Sequence, residues 1–259
     1  MIFDTHAHYD DSAFDEDRDI LLENLRKKNV RYIINSSVDI PSSLESIKLT
    51  EKYSYIYAAV GIHPQNIDDE LENDYQNHIE NMIKKNKKVV AIGEIGLDYH
   101  FDSNEKSKQK IIFEDQIKLS LKYALPIIVH DREAHKDTIE TLKKYNPKGI
   151  VHCFSGSVEM AKELVKLGMY LGIGGVSTFK NAKNIIETIK EIPIENLVLE
   201  TDAPYLAPEP LRGTRCDSSL IKYVAEKISA IKNINVQEVY EKTFNNAVKI
   251  FNISNGENL

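Results

Sequence analysis

Histidines and acidic residues occur in this chain at places where short apolar segments end. Imidazole nitrogens and carboxylate oxygens are both ligands for divalent cations such as Mn²⁺, Zn²⁺ and Co²⁺. His6 and His8 are two residues apart, so in extended backbone both side chains point to the same side and could reach one ion. Six side chains of this kind follow apolar runs: His6, His8, Glu94, His130, His152 and Asp202.

Two of these side chains could do more than hold an ion. Glu94 follows an apolar run, where a carboxylate is costly to bury without a cation or hydrogen-bond partners, and its two oxygens could bridge two ions. Asp202 could bind one ion and also accept a proton from the attacking water. Taken singly, each residue also fits a structural role, such as a core histidine, a carboxylate at a barrel rim or an aspartate that begins a turn. A metal site therefore requires that the fold bring these residues together.

The segments between these residues predict how they meet. Short runs rich in β-forming residues alternate with longer segments of helical period, which is typical of buried parallel strands connected by helices. The predicted strands are Ile2–His6, Arg31–Ser36, Ile56–Gly61, Val89–Glu94, Ile127–His130, Ile150–Cys153, Tyr170–Gly174 and Leu197–Thr201. The predicted helices are Arg18–Lys28, Ser42–Tyr53, Asn73–Lys85, Lys106–Tyr123, Ala134–Tyr145, Val158–Leu167, Asn181–Lys190 and Ser218–Ala230, with Val236–Phe251 packed outside the barrel.

Eight strands that are each followed by a helix predict an α/β fold, a single-domain (β/α)8 TIM barrel over residues 1–259. A doubly wound open sheet is the main alternative, but no glycine-rich phosphate-binding loop follows the first strand. The carboxyl ends of barrel strands converge on one rim, where active sites form, so we expect the six metal-capable side chains to meet there. His63 follows the third strand and is expected to line the same rim. Cys153 is expected to point away from His152 into the core, because side chains alternate along a strand.

The bulk properties of the chain limit the possible functions. A chain of 259 residues with 42% hydrophobic and 28% charged residues suits a globular protein, and we expect a monomer. The net charge of −7 opposes general coating of nucleic acid, although bound cations and a few arginines can reverse the sign of a cleft. Two cysteines, no signal-peptide pattern and no apolar run of membrane length predict a cytoplasmic protein with no membrane partner.

The motifs that carry these residues resemble those of the TatD family of metal-dependent deoxyribonucleases, a branch of the amidohydrolase superfamily, almost from end to end. Together and in this order they are highly specific for that family. The family usually continues after the last motif with Arg-Gly-Lys-Arg-Asn-Glu-Pro, whereas this chain has Arg212-Gly-Thr-Arg215-Cys-Asp-Ser218 and keeps only the arginines and the glycine. The matching motifs are Asp4-Thr-His-Ala-His8, Gly61-Ile-His-Pro64, Gly93-Glu-Ile-Gly-Leu-Asp-Tyr99, Val129-His130, His152-Cys-Phe-Ser-Gly156 and Glu200-Thr-Asp-Ala-Pro-Tyr205.

The resemblance implies two divalent ions, drawn from Mg²⁺, Mn²⁺, Zn²⁺ and Co²⁺, with Glu94 as the bridging ligand. It also implies that the altered segment after Arg212 affects the choice of substrate rather than metal binding. The implied ligands are His6, His8, Glu94 and Asp202 for the first ion, and Glu94, His130 and His152 for the second.

These expectations define a metal-dependent hydrolase of ester bonds. Two cations about 4 Å apart can clamp a phosphate and activate a water molecule, with Asp202 and Glu94 as the catalytic carboxylates. Arg212, Arg215 and His63 are expected to bind neighbouring phosphates. The predicted partner is DNA or a small phosphodiester, and the predicted reaction is 3′–5′ exonuclease cleavage of single-stranded or frayed ends. Hydrolysis of a cyclic amide or lactone by the same centre is the main alternative, and a metal-binding scaffold without catalysis is a second.

Overall fold

The computed structural model describes residues 1–67, 74–100 and 105–253. Strands and helices alternate along these residues. The strands are β1 (Ile2–Ala7), β2 (Val30–Ser36), β3 (Ile56–Val60), β4 (Val89–Asp98), β5 (Ile127–Arg132), β6 (Gly149–Val151), β7 (Tyr170–Ile173) and β8 (Leu197–Leu199). The helices are α1 (Arg18–Lys27), α2 (Ile40–Lys52), α3 (Tyr75–Lys85), α4 (Lys106–Tyr123), α5 (His135–Tyr145), α6 (Val158–Lys166), α7 (Lys183–Glu191), α8 (Ile221–Lys232) and α9 (Val236–Phe251).

The eight strands form one parallel sheet in the order β1 to β8, so every strand pairs with its neighbours in the sequence. The two outer strands meet through backbone hydrogen bonds. The amide of Asp202 donates to the carbonyl of His6 over 2.9 Å, and the amide of His8 donates to the carbonyl of Ala203 over 2.7 Å. These bonds close the sheet into a barrel surrounded by helices. The prediction of a TIM barrel is confirmed, and the doubly wound alternative is wrong.

Continuous burial explains why apolar runs form the strands. In β2, Ile33 and Ile34 are both fully buried although they face opposite sides of the sheet. All ten residues of β4 are buried as well. Such strands pack one face into the barrel and the other against helices. Apolar β-branched residues suit both faces, because their side chains bury no unpaired polar group.

Polar caps decide where several helices begin. The carboxylate of Asp39 accepts a hydrogen bond from the amide of Ser42, whose hydroxyl in turn accepts from the amide of Asp39. This capping box starts α2 at Ile40, two residues before the predicted start. Helix α3 begins at Tyr75, and the predicted start at Asn73 lies outside the described residues.

Gly96 allows β4 and β5 to approach each other at the rim. Its φ angle is +146°, and a Cβ atom there would lie 2.0 Å from the carbonyl oxygen of His130. Only glycine tolerates this combination of backbone angle and contact. The prediction that β4 ends at Glu94 is wrong, because pairing with β5 continues to Asp98 opposite Arg132.

The last helix, α9, packs against the outside of β1. The ring centroids of Phe244 and Phe251 lie 5.9 and 5.8 Å from that of Phe3. Within the described part of the chain, none of the helices combines the length and apolar character that crossing a membrane requires.

Candidate metal centre

The fold brings all six predicted metal-capable side chains to the carboxyl end of the barrel. They come from five strands or from the residues directly beyond them, which is why residues far apart in the sequence can meet. Their positions are His6 in β1, His8 just after β1, Glu94 in β4, His130 in β5, His152 just after β6 and Asp202 three residues after β8.

Glu94 lies at the middle of this group. Its Oε1 atom is 2.8 Å from Nδ1 of His130 and 2.7 Å from Nε2 of His152. Its Oε2 atom is 3.3 Å from Nε2 of His6 and 3.7 Å from Nε2 of His8. Only 4% of the Glu94 side chain is exposed. The two carboxylate oxygens therefore face different groups of imidazoles, as a carboxylate shared by two ions requires.

Asp202 completes the side of the site that holds His6 and His8. Its Oδ1 atom lies 3.5 Å from Nε2 of His6 and 3.3 Å from Nε2 of His8. The backbone of Asp202 has a φ of +64°, a left-handed conformation that aspartate adopts more readily than most residues. Its side chain is 19% exposed, compared with 4% for Glu94, so Asp202 is the carboxylate with the greater access to solvent.

His63 lies beside Glu94, within the group of possible metal ligands. Its Nε2 atom is 3.5 Å from Oε1 of Glu94, and its ring centroid is 4.4 Å from that of His130. Ligand atoms of His63, Glu94 and His130 all lie within 4.8 Å of one another. His63 is thus a seventh side chain that could bind metal. Its position directly after the third strand is the feature of the sequence that indicated a place at the rim.

Three of the imidazoles are oriented by their second nitrogen. Nδ1 of His6 faces the hydroxyl of Ser36 at 3.1 Å, and Nδ1 of His8 bonds to the carbonyl oxygen of Ser36 at 2.8 Å. Nε2 of His130 lies 3.2 Å from a carboxylate oxygen of Asp98. Such contacts fix the orientation of a ligand ring. Asp98 and Ser36 are thus the orienting residues of the site, and Ser36 was missed because a serine at the end of a strand carries no distinctive pattern.

The surrounding charges keep both central carboxylates ionised. Burial alone would raise the pKa of Glu94, but the imidazoles around it, led by that of His152, hold it well below its usual value. Burial also opposes ionisation of Asp202, and hydrogen bonds from His6 and His8 lower its pKa instead. Two buried anions surrounded by imidazole nitrogens form a donor set that suits divalent cations.

Protons compete with cations for this donor set. Burial lowers the pKa of His130, but contact with Asp98 and Glu94 outweighs it and raises the pKa to about 9. His130 therefore carries a proton at neutral pH in the metal-free protein, and metal binding must release it. We predict that affinity for Zn²⁺ rises by at least about tenfold per pH unit between pH 6 and 8. Calorimetric titration in buffers of different ionisation enthalpy measures the released protons, and an affinity independent of pH would contradict the prediction.

The two predicted phosphate-binding arginines differ in their surroundings. The guanidinium of Arg215 donates to both carboxylate oxygens of Asp17, at 2.8 and 2.6 Å, and lies 4.8 Å from the ring centroid of Phe14. This ion pair already neutralises Arg215 and argues against its predicted role in binding phosphate. Arg212 lies over the ring of Phe179, 4.3 Å from the centroid.

Cys153 does not take the predicted place in the core. It lies beyond the end of β6 with a φ of +42°, so strand alternation does not apply to it, and it is only half-buried. Its amide donates to Oε1 of Glu200 over 2.5 Å. Glu200 is 1% exposed, and burial raises its pKa to about 8. The carboxyl group of Glu200 thus lies beside His152 of the metal centre, with Oε1 of Glu200 4.0 Å from Nδ1 of His152.

A parallel barrel with clustered histidines and carboxylates at its rim suits a metal-dependent hydrolase. Comparison with known proteins identifies the family. The family model for TatD-related DNase matches residues 3–252, and the chain therefore belongs to the TatD family.

Individual relatives agree with this family membership. The metal-dependent hydrolase YabD of Bacillus subtilis is 42% identical, over 98% of this chain and the whole of that protein. The metal-dependent hydrolase MJ1582 of Methanocaldococcus jannaschii is 34% identical, over 96% of each chain. Among solved structures, the TatD homologue YjjV of Escherichia coli superposes with a TM-score of 0.92 at 29% identity, over 98% of each chain.

Proposed function

We propose that this protein is a deoxyribonuclease that removes nucleotides from the 3′ ends of single-stranded or frayed DNA. The observation that carries the proposal is the placement of Glu94, whose two oxygens face separate groups of imidazoles at distances of 2.7–3.7 Å. A site with two halves joined by one carboxylate suits phosphodiester hydrolysis, in which the attacking and the leaving oxygen both need stabilisation. The family's description as TatD-related DNases supports the same substrate class.

This donor set fits two divalent ions. His6, His8 and Asp202 would hold one with Oε2 of Glu94, and His130 and His152 would hold the other with Oε1, with His63 beside them. When bound, such ions supply Lewis acidity to the phosphoryl group and lower the pKa of a coordinated water.

The side chains of the protein position the reactants and move the proton. Asp202 is ionised and more exposed than Glu94, so its free carboxylate oxygen accepts the proton of the attacking water. Glu94 stays buried among imidazoles and keeps its charge, which fixes the two halves of the site relative to each other. Arg212, held over Phe179, offers a planar guanidinium to the phosphate that precedes the scissile bond.

The direct test uses single-stranded DNA labelled at either end, with protein stripped of metal and then supplied with Mn²⁺. We expect Mn²⁺-dependent release of mononucleotides from the 3′ end, seen as a ladder only when the 5′ end is labelled. A panel of lactones and cyclic amides tested in parallel separates the alternative. Turnover of that panel with intact DNA would contradict the proposal and favour an amidohydrolase.

The arginines provide a matched pair for testing substrate binding. We predict that Arg212→Ala raises KM for DNA about tenfold, because a charge-assisted hydrogen bond to phosphate is lost, and leaves metal content unchanged. Arg215→Ala, three residues away, removes the ion pair with Asp17 and should leave KM within about twofold of the original value, since such exposed pairs contribute little. Steady-state kinetics on a 5′-labelled oligonucleotide measure both. A larger effect of Arg215→Ala on KM would reverse the two assignments.

A further inference from the structure

Glu200 is a buried carboxyl group that the proposed hydrolysis does not use. It follows β8, is 1% exposed, and extends over Gly172 of β7. A Cβ atom at residue 172 would lie 2.1 Å from Oε2 of Glu200, so only glycine leaves room for the carboxyl group. The interior of the barrel therefore has space for this side chain where most residues on β7 would exclude it.

The surroundings of Glu200 leave complementary polar atoms unpaired. Oε1 accepts a hydrogen bond from the amide of Cys153 and lies 4.0 Å from Nδ1 of His152. Within the described residues, Nδ1 of His152 and Oε2 of Glu200 are both buried without a hydrogen-bond partner. A buried unpaired polar atom costs about 1–3 kcal/mol, so one on each of two neighbouring side chains requires an explanation.

His152 differs from the other clustered imidazoles in this respect. The second nitrogens of His6 and His8 face Ser36, and that of His130 faces Asp98. For His152, the neighbouring acceptor that the structure records near Nδ1 is the carboxyl group of Glu200. Closing the separation by about 1 Å would give a normal hydrogen bond.

We propose that Glu200 is a positioning residue for His152: its carboxyl group accepts a hydrogen bond from Nδ1–H, which leaves Nε2 unprotonated and free to bind the cation expected beside Oε1 of Glu94. The proposal rests on the metal centre described under the proposed function. Imidazole ligands commonly donate their second N–H to a carboxylate, which fixes the ring and its tautomer. The role does not depend on the charge of Glu200, because the carbonyl oxygen of a neutral carboxyl group also accepts hydrogen bonds.

Three variants separate positioning from packing. Glu200→Gln keeps an acceptor oxygen in a side chain of the same size, whereas Glu200→Leu removes both oxygens. Asp4→Asn is the matched control, because Asp4 is also a fully buried carboxyl group but bonds to Thr201, Ser218 and the backbone amide of His6 rather than to an imidazole of the cluster.

Calorimetric titration with Zn²⁺ gives the first readout. The unmodified protein should bind two ions; Glu200→Leu should weaken the second by about 10–100-fold and leave the first unchanged. Glu200→Gln should restore the second ion to within about fivefold, and Asp4→Asn should lower thermal stability without this selective loss. Nitrogen NMR of the Zn²⁺-loaded protein should show His152 protonated at Nδ1, with that signal lost in Glu200→Leu.

Several outcomes would overturn the proposal. Binding of both ions by Glu200→Leu with unchanged affinity would do so, as would equal weakening of both ions with no rescue by Glu200→Gln. Failure of the unmodified protein to bind a second ion would remove the metal centre itself. That result is distinct from a failure confined to the Glu200 variants.

Discussion

Replacing Glu94 with glutamine is expected to abolish hydrolysis, with a fall in kcat of at least about a thousandfold. The amide keeps the size of the side chain but removes the negative charge that five imidazoles face at 2.7–3.7 Å. Bound metal should fall from two ions to at most one per chain, because both halves of the site share this carboxylate. Metal analysis by mass spectrometry, together with turnover of labelled DNA, measures both effects.

The control for this substitution is Glu114→Gln on the outer surface of α4. Glu114 accepts hydrogen bonds from Lys144 and Tyr145 and contacts none of the clustered imidazoles in these bonds. Loss of its charge should therefore change neither metal content nor kcat. A Glu94→Gln protein that retained two ions and more than a tenth of the activity would show that Glu94 is not the shared ligand.

Asp202→Asn is expected to separate proton transfer from metal binding. The asparagine retains an oxygen near His6 and His8, which Oδ1 of Asp202 approaches at 3.5 and 3.3 Å, but it cannot accept the proton of the attacking water. Loss of a general base lowers turnover by about 10²–10⁴-fold, so we expect kcat to fall into that range. Metal content should fall less than in Glu94→Gln.

Single-turnover kinetics at saturating Mn²⁺ test this prediction, because they report the chemical step without product release. If Asp202→Asn lost as much metal as Glu94→Gln, Asp202 would be a ligand without a separate role in proton transfer. If it kept normal turnover, another group would have to accept the proton.

The sequence predicted the barrel well because two independent patterns agreed. Apolar runs marked buried strands, and metal-capable residues followed them at the same relative position. Strand ends were less accurate for a physical reason. We ended β4 at Glu94 because a carboxylate interrupts the apolar run, whereas partnering with imidazoles lets β4 continue buried to Asp98.

The errors within the site come from backbone conformation and from contacts across the barrel. The prediction that Cys153 points into the core assumes extended backbone. The φ of Cys153 is +42°, so its backbone is not extended. The role predicted for Arg215 in binding phosphate stays a prediction, and no pattern in the sequence indicates that Asp17, nearly 200 positions earlier, lies beside it. The proximity of His63 to Glu94 likewise depends on the pairing of β3 with β4. A motif read along the sequence does not specify that pairing.

The central claim is that one carboxylate, Glu94, joins two cation sites at the mouth of the barrel. Anomalous X-ray diffraction from a crystal grown with Mn²⁺ tests it most directly. We predict two peaks, one beside Oε2 of Glu94 near His6 and His8, and one beside Oε1 near His130 and His152. Peaks remote from Glu94, or a fully occupied single peak at saturating Mn²⁺, would contradict it.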